Sequence, residues 1–367
     1  MDKDHIKSWF GAHWDENLRG EASRRTELEA HLGNLLDLEL KPWKLDEQVV
    51  ISTRANLLRV PVGKRVYERI RSNPVYLVET DVMDDVGGSI RTVFNLSASV
   101  RRKLQVPLLF TKNGFDNIDM TEESPVVADV VNERWMLSDD DNKKVDFVSE
   151  DLGRVSKQVK EIYLDEYTKV WDSVYRALEV VDFRNLRHAD EVLAAVVDPT
   201  SSPLIGILQV ASQNTLLSNQ ALSNLEGKKA PGKLKKLEKL KGVAGAVGSH
   251  LENPVDKYFK ELNALTRESK RGPAPVDTIV AKVQQLYDFI ADVSLSPDPA
   301  KKAYDIAKAR YESGAGNPII ALRALAKNQP EPVSTWLDKM ADQSWKVILQ
   351  SARDHIDAEW KDQVYLP

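Results

Sequence analysis

Cysteine is absent from this chain of 367 residues. No disulfide framework, thiolate nucleophile or cysteine-based metal site is available. A core of this size folds in oxidising or reducing surroundings alike, so the absence leaves the compartment open. Histidine is scarce. His5, His13, His31, His188, His250 and His355 are scattered, and none forms the His-Glu-x-x-His pair that puts two imidazoles on one helical face. Long apolar runs are missing too. Nothing reaches the ~18–20 residues that span a bilayer, and the first twenty residues lack the apolar core of a signal peptide. As written, the chain reads either as a soluble cytoplasmic product or as the soluble part of a longer membrane protein. There is no basic excess: 51 Lys and Arg stand against 56 Asp and Glu, a net charge of −5. That argues against binding nucleic acid through a basic surface.

Catalytic signatures are equally thin. Gly87-Gly88-Ser89-Ile90-Arg91 has the first glycine and the serine of a nucleophile elbow, but Arg91 replaces the second glycine, and a small turn accounts for it. No Ser-x-x-Lys occurs, and neither phosphate-cradling glycine pattern is present. Asp139-Asp140-Asp141 lacks the alternating ligands and central glycine of a calcium loop, and reads as a solvated turn. Asp81, Asp84 and Asp85 beside Gly87-Gly88 raise the idea of a carboxylate pair, the basis for an alternative reading as an envelope (peptidoglycan) hydrolase. No catalytic, cofactor-binding or metal-binding residue is assigned, and no cofactor is expected.

What the chain has is helical periodicity. Its length exceeds the ~250–300 residues at which one core stops growing, so two or more modules are expected. Residues 6–40 carry apolar positions at helical spacing, including Trp9, Leu28, Leu32, Leu35 and Leu36, interrupted near Gly20 and closed by Pro42. Residues 45–71 read as a second amphipathic stretch with a boundary at Pro61. From 74 to 135 the texture changes to short β-prone pieces, Val75-Tyr76-Leu77-Val78, Arg91-Thr92-Val93-Phe94 and residues 106–111. They are punctuated by Gly87-Gly88 and Asn113-Gly114. An exposed acidic-to-basic turn at 138–144 suggests a module boundary.

Beyond it, Val155, Val159, Ile162, Tyr163, Tyr167, Val170, Trp171, Val174 and Leu178 form one wide apolar stripe. The Tyr163-Tyr167-Trp171 rings are expected to be core, because each buries a large apolar area; a ligand platform is the competing use. Ser202-Pro203, Asn253-Pro254 and Asn317-Pro318 each place an N-cap before a proline at the first helical position. Breaks at 313–316 and 329–332 turn helices back on their neighbours, and the last helix, about 340–364, carries Trp345, Ile348, Leu349, Ala352, Ile356, Trp360 and Val364 on one face. Residues 226–248 stand apart as a flexible Lys/Gly-rich loop, for which binding to an anionic surface is the sharper alternative. The expected fold is mainly α. It is an antiparallel helical array or bundle, with an N-terminal module at 1–140 that is small α+β or irregular over about 74–135, and an all-helical domain at 141–367.

Several ordered pieces resemble the IcmF family, the TssM-type membrane-complex proteins of type VI secretion. They are residues 59–70, Val106-Pro107-Leu108-Leu109-Phe110-Thr111 through Gly114-Phe115, residues 163–171, Ser202-Pro203-Leu204, Asn317-Pro318, and residues 330–337 and 344–365. The resemblance covers nearly the whole chain. It implies the periplasmic region of an inner-membrane-anchored protein of a Gram-negative bacterium, acting as a non-catalytic scaffold between inner and outer membranes. It also implies a homo-oligomer with the inner-membrane protein TssL and the outer-membrane lipoprotein TssJ as partners. The family continues past the point matching Leu366-Pro367 into a β-rich domain that carries much of the lipoprotein contact. Direct TssJ contact is therefore not assigned to numbered residues here. A cytoplasmic helical adaptor, presenting grooves to partner helices, is the remaining alternative.

Overall fold

Three helix starts share one device. Asn253, Asn317 and Ser202 each sit before a proline and accept a hydrogen bond from a backbone N–H of the first turn, at 2.9, 3.1 and 3.4 Å. The cap satisfies an orphan donor, and proline contributes none that would go unpaired. These are the caps the sequence predicts.

The computed structural model describes residues 3–17, 22–38, 46–132, 149–218, 253–268, 272–313 and 317–365. The turn at 138–144, the lysine-rich 226–248, Gly20, Pro42 and His250 lie outside them. Contacts divide the chain into two units, residues 1–59 and 60–367.

The first unit holds α1 (Lys3–Asn17), α2 (Ala22–Asp37) and α3 (Glu47–Leu58). Leu32 and Leu36, one turn apart, are its buried apolar side chains among the described residues. Leu28 on the same face is half-buried. Leu35 falls off that face and is exposed, as is Trp9, which stands outward on α1 with its ring edge-to-face against Phe10. Lys3 and Asp37 pair at 3.3 Å.

The second unit begins with α4 (Val62–Arg71), followed by a 3-10 turn (Pro74–Leu77), strand β1 (Glu79–Asp81), α5 (Val82–Val86), α6 (Ile90–Val93) and α7 (Ala98–Leu104). Strand β2 (Gln105–Pro107), a second 3-10 turn (Leu108–Phe110), α8 (Lys112–Asn117) and α9 (Pro125–Asn132) come next. The region is far more helical than its β-prone pieces suggest. Residues 75–77 are 3-10, and Arg91-Thr92-Val93 is a single helical turn. The one sheet among the described residues pairs β1 with β2 antiparallel, Thr80 opposite Val106. A third extended contact is a lone bridge between Phe94 and Val180. Three-residue strands bury too little to organise a layer, so these pieces pack onto helices instead.

The remaining helices are α10 (Ser149–Ala177), α11 (Leu186–Val197), α12 (Pro203–Thr215), α13 (Pro254–Tyr258), α14 (Lys260–Leu265), α15 (Pro275–Ser294), α16 (Pro299–Ser313), α17 (Pro318–Ala326) and α18 (Val333–Trp360). The fold is mainly α. Helix α18 starts about two turns before the expected 340 and is followed by a π-helical turn, Lys361–Tyr365. Helix α10 packs on α4, α7 and α13; α11 packs on α15 and α18; α18 packs on α16 and α17. One continuous hydrophobic core joins residues 66–130 to residues 155–352. The expected module boundary near 140 falls outside the described residues, and the packing on its two sides belongs to one unit.

Two glycines are required by local geometry. Gly87 closes α5 at φ +96°, in the left-handed region. Gly114 lies against the preceding turn, where an added Cβ would sit 1.9 Å from the Leu108 carbonyl oxygen. That carbonyl cannot withdraw, because it accepts from the Thr111 hydroxyl at 2.8 Å and the Thr111 N–H at 3.1 Å. Gly114→Ala is expected to cost about 2–3 kcal/mol in denaturant unfolding. Gly88→Ala, with open space around it, should stay within about 0.5 kcal/mol.

Candidate functional site

The aromatic stripe of α10 is fully buried and bonded to two other segments. Tyr163, Tyr167 and Trp171 are 0, 0 and 1% exposed, and each polar tip donates to a backbone carbonyl. Tyr163 Oη donates to Leu109 O at 2.7 Å and Trp171 Nε1 to Phe110 O at 2.8 Å. Tyr167 Oη donates to Asn214 O at 2.6 Å. Phe110 stacks on Tyr163 and meets Tyr167 edge-on, both at 6.1 Å between ring centres. A ligand platform needs an open face. These rings have none, so the stripe is core.

The polar tips explain how an irregular segment can sit inside. Residues 108–110 expose carbonyls that helix geometry would otherwise satisfy, and a buried carbonyl without a donor costs about 1–3 kcal/mol. Trp336 repeats the device on the other side. Its Nε1 donates to Leu178 O at 2.7 Å, and its ring lies edge-on to Phe94 at 5.1 Å.

Next to the stripe opens a cleft of about 770 Å³ lined by Thr80, Asp85, Val106, Lys112, Asp116, Trp171 and Asn214, among others. Lys112 and Asn214 in this lining are engaged in joining elements, with Asp116 paired to Lys112. Lys112 Nζ donates to Leu217 O at 3.0 Å and reaches Asp116 at 3.3 Å, while the Lys112 N–H donates to the Asn214 side chain at 2.9 Å. Asp256, 7% exposed, accepts from the N–H groups of Leu217 and Ser218 at 2.7 and 3.1 Å. It thereby ties residue 218 to α13.

The sequence-predicted acids have different surroundings. Asp81 caps α5 by accepting from Met83 N–H at 2.9 Å. Asp84 is exposed on that helix, and of the three only Asp85 lines the cleft. Ser89 of the elbow-like glycine turn donates to Ser201 O at 2.6 Å, holding two turns together. Among the described residues, no three His, Asp or Glu side chains are placed to hold a metal ion. His13 stacks on Trp9, His355 lies 5.3 Å from the Tyr304 ring, and His188 Nδ1 accepts from Arg184 N–H. Burial, and then the neighbouring Arg184, lower the His188 pKa. Sequence reasoning missed Thr111, Asn214, Asp256 and Trp336. Asn214, Asp256 and Trp336 have partners distant in sequence, so no local pattern marks them, whereas Thr111 caps α8 locally, donating to Leu108 O and accepting from Gly114 N–H.

Taken together these groups define a helical protein in which Tyr163, Tyr167, Trp171, Asp256 and Trp336 hold segments to one another. No helix among the described residues is long and apolar enough to cross a membrane. Its relatives give this class a family. A family model described as "IcmF-related: Intracellular multiplication and human macrophage-killing" matches residues 1–216, and the chain belongs to that family. It is 27% identical over 384 aligned residues to the type VI secretion system component TssM1 of Pseudomonas aeruginosa. That match takes in 99% of this chain and 33% of the relative, so the chain spans about a third of that protein's length. Two solved structures share the fold. A type VI secretion system membrane core complex matches with a TM-score of 0.55 at 14% identity, over 83% of this chain and 52% of its own. A type VI membrane complex matches with a TM-score of 0.50 at 13% identity, over 86% and 51%.

Two predictions follow from the stripe. Trp171→Phe keeps an aromatic ring but strips the donor from Phe110 O, and should cost about 1–3 kcal/mol in denaturant unfolding. The second concerns alkaline pH. Burial raises the pKa of Tyr163, Tyr167 and Tyr175 above the usual 10.0. The folded state therefore keeps these protons after the unfolded state has released them. The tyrosine contribution should be flat between pH 8 and about pH 10, and stability should fall above it, by up to about 1.4 kcal/mol per pH unit for each tyrosine. Unfolding curves between pH 8 and 11 measure the slope, and Tyr163→Phe should make it shallower.

Proposed function

We propose that this chain is a non-catalytic, load-bearing part of the type VI secretion membrane complex, in the periplasm, within a scaffold linking inner and outer membranes. The observation that carries the reading is the continuous 27% identity to a type VI secretion component along 99% of the chain. The packing supports it. One hydrophobic core runs through the second unit, and buried donors tie the irregular turns to the long helices. Such a body resists deformation because its elements cannot slide without breaking buried hydrogen bonds.

Partners follow from the same reading: further copies of the chain, a TssL-type inner-membrane protein, and, through regions beyond these residues, a TssJ-type lipoprotein. The hydrolase alternative loses its basis in Asp81, which is committed to capping α5.

The lack of cysteine provides the test. Tyr311 is 94% exposed, so Tyr311→Cys, introduced into the native protein in its host, presents a thiol where this chain has none. A membrane-impermeant maleimide should label it in cells with a permeabilised outer membrane and an intact inner membrane, above the background of the unsubstituted protein. Labelling that requires lysis of the inner membrane would exclude a periplasmic position.

A further inference from the structure

The two edges of the small sheet differ in what they can bond. Val78 O accepts from Leu108 N–H at 2.7 Å, and Thr80 lies opposite Val106. Antiparallel pairs alternate between bonded and non-bonded positions. The main-chain groups of Glu79 on β1 and of Gln105 and Pro107 on β2 therefore point away from the partner strand, as does the Asp81 N–H. On β2 that edge offers no donor, because Gln105 N–H already donates to Arg102 O and proline has none. On β1 the N–H groups of Glu79 and Asp81 have no partner among the described residues. The open edge borders the central cleft of about 770 Å³. Thr80, Val106 and Leu108 line that cleft from one face of the sheet. Val78, 60% exposed, continues the same face by alternation.

We propose that β1 accepts an extended, basic segment of a partner protein as a third strand. Main-chain bonds to Glu79 and Asp81 supply affinity, and alternate side chains supply specificity. Those on the cleft face are apolar, lying beside Val78 and Thr80. Those on the other face are Lys or Arg, set across from Glu79. Charge chooses this occupant. Glu79, Asp84 and Asp85 are exposed around the edge, and none has an ion-pair partner among the described residues. A second copy fits poorly, because pairing β1 with β1 antiparallel brings Glu79 and Asp81 of one copy against the same acids of the other. The inference goes beyond the scaffold reading and does not depend on the compartment.

Titrating the whole chain with a short labelled peptide that alternates valine with lysine, blocked at both ends, tests this. Saturable binding is expected, with the Glu79 and Asp81 amides protected from hydrogen exchange in the complex. The counterpart with glutamate for lysine should bind at least about tenfold more weakly. Of two isomers N-methylated at alternate positions, one should lose binding and the other keep it, because only one face of a strand bonds to the edge. Glu79→Lys should remove most of the preference for lysine and leave the unfolding midpoint unchanged, since that side chain is exposed. No saturable binding, equal effects of the two N-methylated isomers, or a preference unchanged in Glu79→Lys would each overturn the proposal. So would a concentration-dependent dimer that protects the same two amides, for a second copy would then hold the edge. None of these outcomes alters maleimide labelling of Tyr311→Cys, so this site and the envelope reading fail separately.

Discussion

The second unit is organised on the aromatic residues of α10, which are apolar along their faces and carry a hydrogen-bond donor at each tip. Tyr163, Tyr167 and Trp171 bury whole rings and still have donors to offer. They offer them to carbonyls at Leu109, Phe110 and Asn214. An aliphatic stripe would supply similar burial and leave those carbonyls unpaired in a low-dielectric interior, where the penalty is largest. The aromatic choice lets a short, irregular segment between β2 and α8 serve as core. It also binds residues some fifty positions apart into one unit. Trp336 does the same for the turn after α10, by way of Leu178.

Surface locks complete the arrangement. Glu166 of α10 takes the Tyr67 hydroxyl and the Arg71 guanidinium of α4. Asp172 receives Arg176 and the Tyr258 hydroxyl of α13, and Arg323 of α17 reaches Asp338 and Asp342 of α18. Exposed pairs of this kind contribute little free energy singly. Their value is in register, because each links a helix to a defined turn of its neighbour. Lys112 and Asn214 in the lining of the central cleft serve the same end, joining α8 to the end of α12.

Much of this was legible in the sequence. The α10 stripe, the three capped helix starts and the boundary at Pro61 follow from spacing and from the chemistry of Ser, Asn and Pro. Each is a local rule acting within one helix. The β-prone piece at 106–111 does begin in β2, but those at 75–78 and 91–94 misled because β-propensity describes a fit to a pleated, half-buried surface. Val93 and Phe94 find such a surface only as one bridge to Val180, and take a helical turn before it. Trp9 and Trp360 look inward by periodicity, yet both are exposed. Periodicity says that a face is apolar and is silent about where its cover ends. Asp256 and Asn214 left no trace in the sequence, since their partners are set by tertiary packing alone.

If the aromatic column unites these segments, native-state hydrogen exchange should find them opening together. The amides of residues 108–117, 159–177 and 205–215 should exchange with one common opening free energy, close to that of global unfolding. Exchange of residues 108–117 at a free energy several kcal/mol below that of α10 would mean that the irregular segment is a separate, loosely held piece, and the account would be wrong at its centre.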